Sequence, residues 1–305
     1  MSSACPDPHT PGPGPGRAAL TAASPRRQVA AFARENGFAE EAFLRALTGP
    51  AAAHARPPVS DYHVGAAALG ESGQVYLGVN LEFPEMPLNQ SVHAEQFAIV
   101  NSLLHNEPAL KALAVTAAPC GHCRQFMCEL TGSEALRLLV GAEEDHSLHE
   151  LLPHNFGPEE LQGPDPQLVF QPIRNGLEWT AAAARVVADL GPADRALAEA
   201  ALAHAERAYA PYSQCPAGVA LRARGGLVAA GGSIESAAFN PSMLPLQSAL
   251  VDAVVKGVGA WGELERMVVV ERHDAGAKYH ATAELLLGKI APAASVLVLD
   301  AQRRA

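Results

Sequence analysis

Aromatic side chains are scarce in this 305-residue chain, at 5%, and cysteine occurs only five times. Basic residues are outnumbered: 22 Lys and Arg against 32 Asp and Glu leave a formal charge of −10. A negative chain repels polyphosphate, and few rings leave little for bases to stack on, so no nucleic-acid partner is expected. Long apolar runs are missing too. Runs such as "MVVV" from Met267 and "VLVL" from Val296 fall far short of the roughly 20 residues that cross a bilayer, so no membrane partner is expected. The cysteines stand at 5, 120, 123, 128 and 215. An odd number with one tight pair makes a poor disulfide framework and points to a reducing compartment, with metal-binding or catalytic use. The first residues lack the apolar core of a secretory signal, and a cytoplasmic location is the expectation. An organelle is the alternative, because residues 1–27 hold Arg17, Arg26 and Arg27 against one acid, Asp7, as transit segments do.

What is present is enough hydrophobic content, 49%, for two domains that each bury a core. Residues 1–27, with "PGPGPG" from Pro11, show no periodicity and are expected to be a disordered tail. Apolar spacing from Gln28 to about Thr48 is helical. "VGAAAL" from Val64 and "QVYLGVNLEF" from Gln74 read as strands joined by the turn "GESG". "HAEQFAIVNSLLHN" from His93 reads as a helix, "ALAVTAA" from Ala112 as a strand, "CGHCRQFMCEL" from Cys120 as a helix and "ALRLLVG" from Ala135 as a strand. Strands alternating with helices argue for an α/β layer fold.

After the Pro/Gly-rich "FGPEELQGPDPQ" from Phe156 the pattern restarts, with helical "LEWTAAAARVVADL" from Leu177 and "PADRALAEAALAHAERAY" from Pro192. Shifting by 153 lays Ser60, Gly65, Ala67, Gly73, Val75, Gly78 and Glu82 on Ser213, Gly218, Ala220, Gly226, Val228, Gly231 and Glu235. Several are turn glycines, which a backbone need retains, and the chain reads as an internal duplication with domains 28–174 and 175–305. With a one-residue gap after Glu235, His93 and Glu95 face Pro245 and Gln247. Residues 216–305 contain no cysteine, so only the first copy can hold a cysteine-bound metal.

Cys120 and Cys123, at i and i+3 on a helix, point the same way and can grip one ion. A helix N-terminus lowers thiol pKa values and prepares thiolate ligands. His93, opening another helix, supplies a third ligand. His/Cys/Cys leaves a fourth tetrahedral position to water, as catalytic zinc sites do, and the expectation is one Zn²⁺ per chain with its water acidified towards neutral pH. Glu95, two residues on, can stand beside that water without ligating and shuttle protons. Two other readings stand at this level. A redox-active Cys-x-x-Cys leaves the His-x-Glu unexplained. A structural zinc needs a fourth ligand, Cys128 or His122. His122 lies off the face that the cysteines share, and Cys128 reads as a small buried hydrophobe.

His93-Ala94-Glu95, residues 96–118, then Pro119-Cys120-x-x-Cys123 is the pattern of zinc nucleobase deaminases. "PVSDYHVGAA", "GVNLEF", "HAEQFAI" and "PCGHCRQFM" together resemble cytidine deaminases. The duplicated length is similar to the dimeric two-domain subfamily, and "ERAYAPYSQCPAGVAL" and "ESAAFNPSMLPLQSAL" resemble its zinc-less second domain. The resemblance spans about residues 30–300. It implies a three-layer α/β/α sandwich with a mixed sheet, duplicated, the second copy lacking zinc. It also implies hydrolytic deamination of cytidine and deoxycytidine to the uridine forms with release of ammonia, in pyrimidine salvage. Hydroxide attacks C4 while Glu95 protonates N3 and then carries a proton to the leaving amine.

By the same resemblance Asn80 and Glu82, on one strand face, grip the ribose 3′-hydroxyl, a contact that does not separate ribo- from deoxyribonucleosides. Glu235 repeating Glu82 signals a structural use of that glutamate as well. Tyr62 is placed against the base, with core packing as its alternative. Ala238 and Phe239 reach the pocket of the partner in a homodimer with shared sites, and Phe156 helps to close it. Arg124 reads as a structural guanidinium paired with a carboxylate or the thiolates. Two rivals share the zinc core: a polynucleotide deaminase, which the charge and aromatic content oppose, and a silent nucleoside-binding protein, which the intact Glu95 opposes.

Overall fold

The computed structural model describes Gly37 and residues 39–304. The expected tail and the Gln28–Asn36 part of the first expected helix lie outside the described residues. Helix α1 (Glu40–Ala52) sets Leu44, Thr48 and Ala51 on one buried face at helical spacing, with Glu40 and Glu41 in its first turn beside the positive helix end. It covers strand β1 (Gly65–Gly70), which pairs with β2 (Val75–Val79). Every β1 residue is buried, the mark of a strand covered on both faces.

The register explains the repeated glycines. Ala66 pairs with Gly78, so these two share a face, while Gly65 looks the other way. A Cβ on Gly65 would lie 2.0 Å from the Thr48 carbonyl oxygen of α1. One on Gly78 would lie 2.1 Å from the Ala94 carbonyl oxygen of helix α2 (Ala94–Leu104). Helices therefore press on opposite faces of the sheet, and any side chain at either position would push one away.

Strand β3 (Leu110–Val115), helix α3 (Gly121–Met127), β4 (Arg137–Val140) and β5 (Glu144–Ser147) complete this half. The sheet order is β2-β1-β3-β4-β5, with β3 and β4 parallel and the other pairs antiparallel. Short helices α4 (Leu148–Leu151) and α5 (Glu159–Gln162) lead on to β6 (Leu177–Trp179), α6 (Ala181–Asp189) and α7 (Pro192–Glu206). Then come β7 (Ala217–Ala223), β8 (Val228–Gly232), α8 (Pro245–Val255), β9 (Leu264–Arg272), α9 (His280–Ile290) and β10 (Ser295–Arg303). The second sheet runs β6-β10-β9-β7-β8 and is mixed in the same way. Four strands repeat those of the first sheet. The fifth does not: β5 follows β4 in the chain, whereas β6 precedes its whole sheet.

Two expectations are corrected. Leu177, Glu178 and Trp179, expected to begin a helix, form β6 and pair with Arg303, Gln302 and Ala301. The helix starts after Thr180, whose hydroxyl accepts the Ala183 N–H at 3.2 Å. Three residues are too few to display a two-residue period, and the alanine run beyond them dominates the pattern. The gap in the repeat is also larger than expected. His93 and Leu244 are the N-cap residues of α2 and α8, so His93 faces Leu244, Glu95 faces Leu246 and Gln96 faces Gln247. The offset has dropped from 153 to 151, a gap of two residues rather than one.

The halves meet through their inner helices. One apolar cluster includes Phe97 and Ile99 of α2 together with Leu246 and Leu250 of α8. Gln96 Nε2 donates to the Pro241 carbonyl at 2.9 Å, and Gln247 Nε2 donates to the Gln90 carbonyl at 2.7 Å. Donors and acceptors in these two bonds exchange at the same offset of 151, which places a pseudo-two-fold axis between α2 and α8.

Candidate active site

His93 and Cys120 each occupy the N-cap of a helix, α2 and α3, with extended backbone. At the third position of α2, Gln96 Oε1 accepts the His93 N–H at 3.4 Å, and the His93 imidazole makes no cap hydrogen bond. His93 Nδ1 lies 3.4 Å from Cys120 Sγ, and donor atoms of His93, Cys120 and Cys123 all fall within 4.8 Å of one another. Among the described residues no other His/Cys/Asp/Glu group gathers this way, and this one has no fourth member. Two sulfurs and an imidazole nitrogen suit zinc and not the oxygen-seeking calcium or magnesium.

The electrostatics favour an anionic ligand. A hydrogen bond from the Cys123 thiol, with further help from His93 and the Cys123 N–H, outweighs burial and pushes Cys120 down to about 3. The same bond, together with burial, holds the Cys123 thiol well above its usual range, and the hydrogen bond with Cys120 raises His93. Glu95 is 4% exposed and lies outside the donor group. Burial raises its carboxyl, which is hydrogen-bonded to Cys123. The His122 ring stacks on His93 with centroids 5.1 Å apart and is not a member of the donor group. Cys128 is buried and its thiol points at the Arg124 carbonyl, 3.5 Å away.

Asn80 and Glu82 hold the loop ahead of β1. Glu82 Oε2 accepts the Val59 and Ser60 N–H groups at 3.0 and 2.9 Å, and Oε1 accepts the Ser60 hydroxyl at 2.5 Å. Burial alone would raise this carboxyl, but these donors keep it below its ordinary value. Asn80 Oδ1 accepts the Val64 N–H at 2.9 Å, and Nδ2 donates to the Tyr62 carbonyl at 2.9 Å. The Tyr62 ring itself is 61% exposed, so core packing is not its use. Phe156 is exposed, and its carbonyl accepts from Gln125 of α3 at 2.6 Å. Ala238 and Phe239 are exposed in the second half, on the loop following β8. Arg124 is structural, but its partners are the Pro119 and Leu151 carbonyls, at 2.7 and 2.6 Å, and not a carboxylate or the thiolates.

Three residues that hold this region together carried no expectation: Ser60, Gln96 and Glu129. Ser213 and Gln247 repeat the first two, a signal available in the duplication. Glu129 leaves no comparable trace.

A carboxyl buried beside a sulfur–nitrogen donor group at two helix starts defines a zinc-dependent hydrolase in class. Residues 39–137 and residues 148–284 each match the zinc-binding region of cytidine and deoxycytidylate deaminases. Cytidine deaminase 1 of Arabidopsis thaliana is 41% identical over 289 residues, covering 87% of this chain and 93% of its own. Cytidine deaminase 6 of the same plant is 40% identical over 285 residues, covering 88% and 94%. The crystal structure of cytidine deaminase from Mycobacterium tuberculosis covers 39% of this chain and 98% of its own at 31% identity, with a TM-score of 0.35. The chain belongs to the cytidine deaminase family. Of the two matched regions, only the first contains a metal-capable group among the described residues.

Proposed function

We propose that this enzyme deaminates both cytidine and 2′-deoxycytidine, each consuming one water and yielding the uridine form and ammonia. The reaction serves pyrimidine salvage in the cytoplasm. Residues 28–174 form the catalytic domain and residues 175–305 a degenerate copy that supports it. His93, Cys120 and Cys123 hold one zinc ion, which when bound supplies a Lewis acid that lowers the pKa of water towards neutrality. Glu95 takes a proton from the attacking water, delivers it to N3 of the ring, and then carries the remaining proton of the hydroxyl now on C4 to the departing amine. A carboxyl raised by burial holds a proton more readily than an ordinary carboxylate, as a group that both takes and gives one requires.

Glu82 and Asn80 receive the ribose. The second half supports this part of the reading. There Glu235 sits in the same bonds as Glu82, with one addition: the Tyr279 hydroxyl donates to its Oε1 at 2.8 Å. A tyrosine hydroxyl on Glu235 stands where a sugar hydroxyl would stand on Glu82. Tyr62 lies against the base, and Phe156 closes the pocket. Two chains form a homodimer in which Ala238 and Phe239 enter the partner's site. Tyr62, Phe156 and Phe239 are 61%, 46% and 65% exposed, apolar surface of the kind a partner covers.

The observation that carries the reading is Glu95, buried against the donor group without belonging to it. Ammonia release from cytidine tests it. Glu95→Gln should lose roughly 10²–10⁴ in rate while keeping its zinc. A fully active variant would remove the proton shuttle, and a wild-type protein that holds zinc but releases no ammonia would leave a nucleoside-binding protein.

A further inference from the structure

Glu129 lies two residues beyond the end of α3, is 0% exposed, and is not a member of the donor group of its own half. Its carboxylate is bonded from the other half of the chain: Oε1 accepts the Ala237 N–H at 2.7 Å, and Oε2 accepts the Tyr209 and Tyr212 hydroxyls at 2.8 and 2.6 Å. Ala237 belongs to a loop that is closed on itself. The Ser236 N–H donates to Ser242 Oγ at 2.9 Å, the Phe239 N–H to the Ser236 carbonyl at 2.8 Å, and the Ser242 N–H to the Phe239 carbonyl at 3.0 Å. At its tip Phe239 is exposed with φ of +63°, a left-handed conformation that a bulky residue keeps only where its surroundings enforce it.

The duplication does not require this arrangement. At the offset of 153, Tyr209 and Tyr212 correspond to Arg56 and Val59. Val59 has no hydroxyl, and Arg56 donates instead to the Val258 carbonyl at 2.5 Å. One side of the pseudo-two-fold axis therefore carries a buried carboxylate cluster, and its counterpart is built from different chemistry.

We infer that Glu129 is a positioning residue acting in trans: from the catalytic half of one chain it braces the 236–242 loop that presents Phe239 to the active site of the partner. The inference rests on the shared-site reading above. Each chain then builds its own donor helix and the base of the finger it lends to its partner on one continuous segment, from Cys120 to Glu129. A rigid finger enters a pocket without first losing conformational freedom, so the contribution falls on substrate binding more than on proton transfer.

Mixed dimers test it, using the zinc-loaded full-length enzyme. Glu129→Gln keeps the side chain's size, and Tyr212→Phe removes one hydrogen bond to the carboxylate should the first variant fail to assemble. Either should raise KM for cytidine roughly tenfold, the effect of one lost hydrogen bond, with kcat and zinc content nearly unchanged. Pairing each variant with a Glu95→Ala chain leaves one working site per dimer. KM should rise when the variant is on the Glu95→Ala chain and stay at the wild-type value when it is on the working chain. The opposite pattern, or an equal rise in both, would overturn action in trans. Phe239→Ala separates the two readings: if it leaves KM unchanged in a proven dimer, the shared site fails. If Phe239→Ala raises KM while Glu129→Gln and Tyr212→Phe do not, only the bracing role fails.

Discussion

The two halves keep the same scaffold around a glutamate and differ at the helix starts beside it. Glu82 accepts the N–H groups of Val59 and Ser60 and the Ser60 hydroxyl; Glu235 accepts those of Tyr212 and Ser213 and the Ser213 hydroxyl. Even the left-handed residue of the loop recurs, as Asp61 and Gln214. At the N-caps, however, Leu244 replaces His93 and Tyr279 replaces Cys120, and Leu246 replaces Glu95 two residues further on. Where the first half sets a sulfur at the start of α3, the second sets a carboxylate: Glu271 Oε2 accepts the Tyr279 and His280 N–H groups at 2.8 and 3.1 Å. The comparison separates what folding needs from what chemistry needs. Loop bonds to the glutamate survive in both copies, so they are structural, and the reactive groups are few and concentrated at two N-caps.

The largest test of that separation is at Cys120. Cys120→Ala should abolish zinc retention, read by elemental analysis, and bring ammonia release down to the blank, while Tyr279→Phe in the same position of the second half leaves zinc content unchanged. Stoichiometric zinc in Cys120→Ala would mean that the ligand set is wrong. A smaller and more discriminating test pairs Glu82→Gln with Glu235→Gln. Each weakens hydrogen bonds to a charged acceptor, a loss of about 1–3 kcal/mol. In Glu235→Gln that loss should appear as a lower denaturation midpoint with KM unchanged. In Glu82→Gln it should appear largely as a KM raised roughly 10- to 100-fold, because a substrate hydroxyl would lose the charged acceptor. Matching profiles in the two variants would show that Glu82 is scaffold alone.

How legible each feature was in the sequence follows from how locally it is encoded. His93, Glu95, Cys120 and Cys123 lie in two short stretches whose spacing is set by the covalent chain, and each stretch opens a helix, so their convergence was readable. The repeated glycines were readable because Gly65 and Gly78 each sit under a helix backbone that admits no Cβ, a need that both copies share. The gap after Glu235 was misjudged by one residue because only two scattered identities, Asn89 on Asn240 and Ser91 on Ser242, anchor residues 83–91 at the offset of 151; the N-caps mark where the copies rejoin. β6 was hidden by its length and by the alanines that follow. Glu129 was unreadable for another reason. Tyr209 and Ala237, its partners, are 80 and 108 residues away, and no local pattern announces a contact made only when the halves pack.

The smallest expected effect is at the pseudo-two-fold axis itself, where the halves are most alike. Gln96 and Gln247 each cap their own helix through Oε1 and cross to the other half through Nε2. Gln96→Ala and Gln247→Ala should each remove a cap bond and a cross-bond, destabilising by about 1–3 kcal/mol in chemical denaturation. Because both bonds belong to one interface, the double variant should depart from additivity by about 0.5 kcal/mol or more. The two single variants should nevertheless part company in activity. Gln96 follows Glu95 directly and orients the His93 N-cap, so its loss should lower ammonia release, whereas Gln247 caps Leu244, which has no chemistry to orient. Equal activity in both variants, at equal loss of stability, would mean that the N-cap of α2 needs no help from Gln96, and that the donor group holds its own geometry independently of the symmetric contact beneath it.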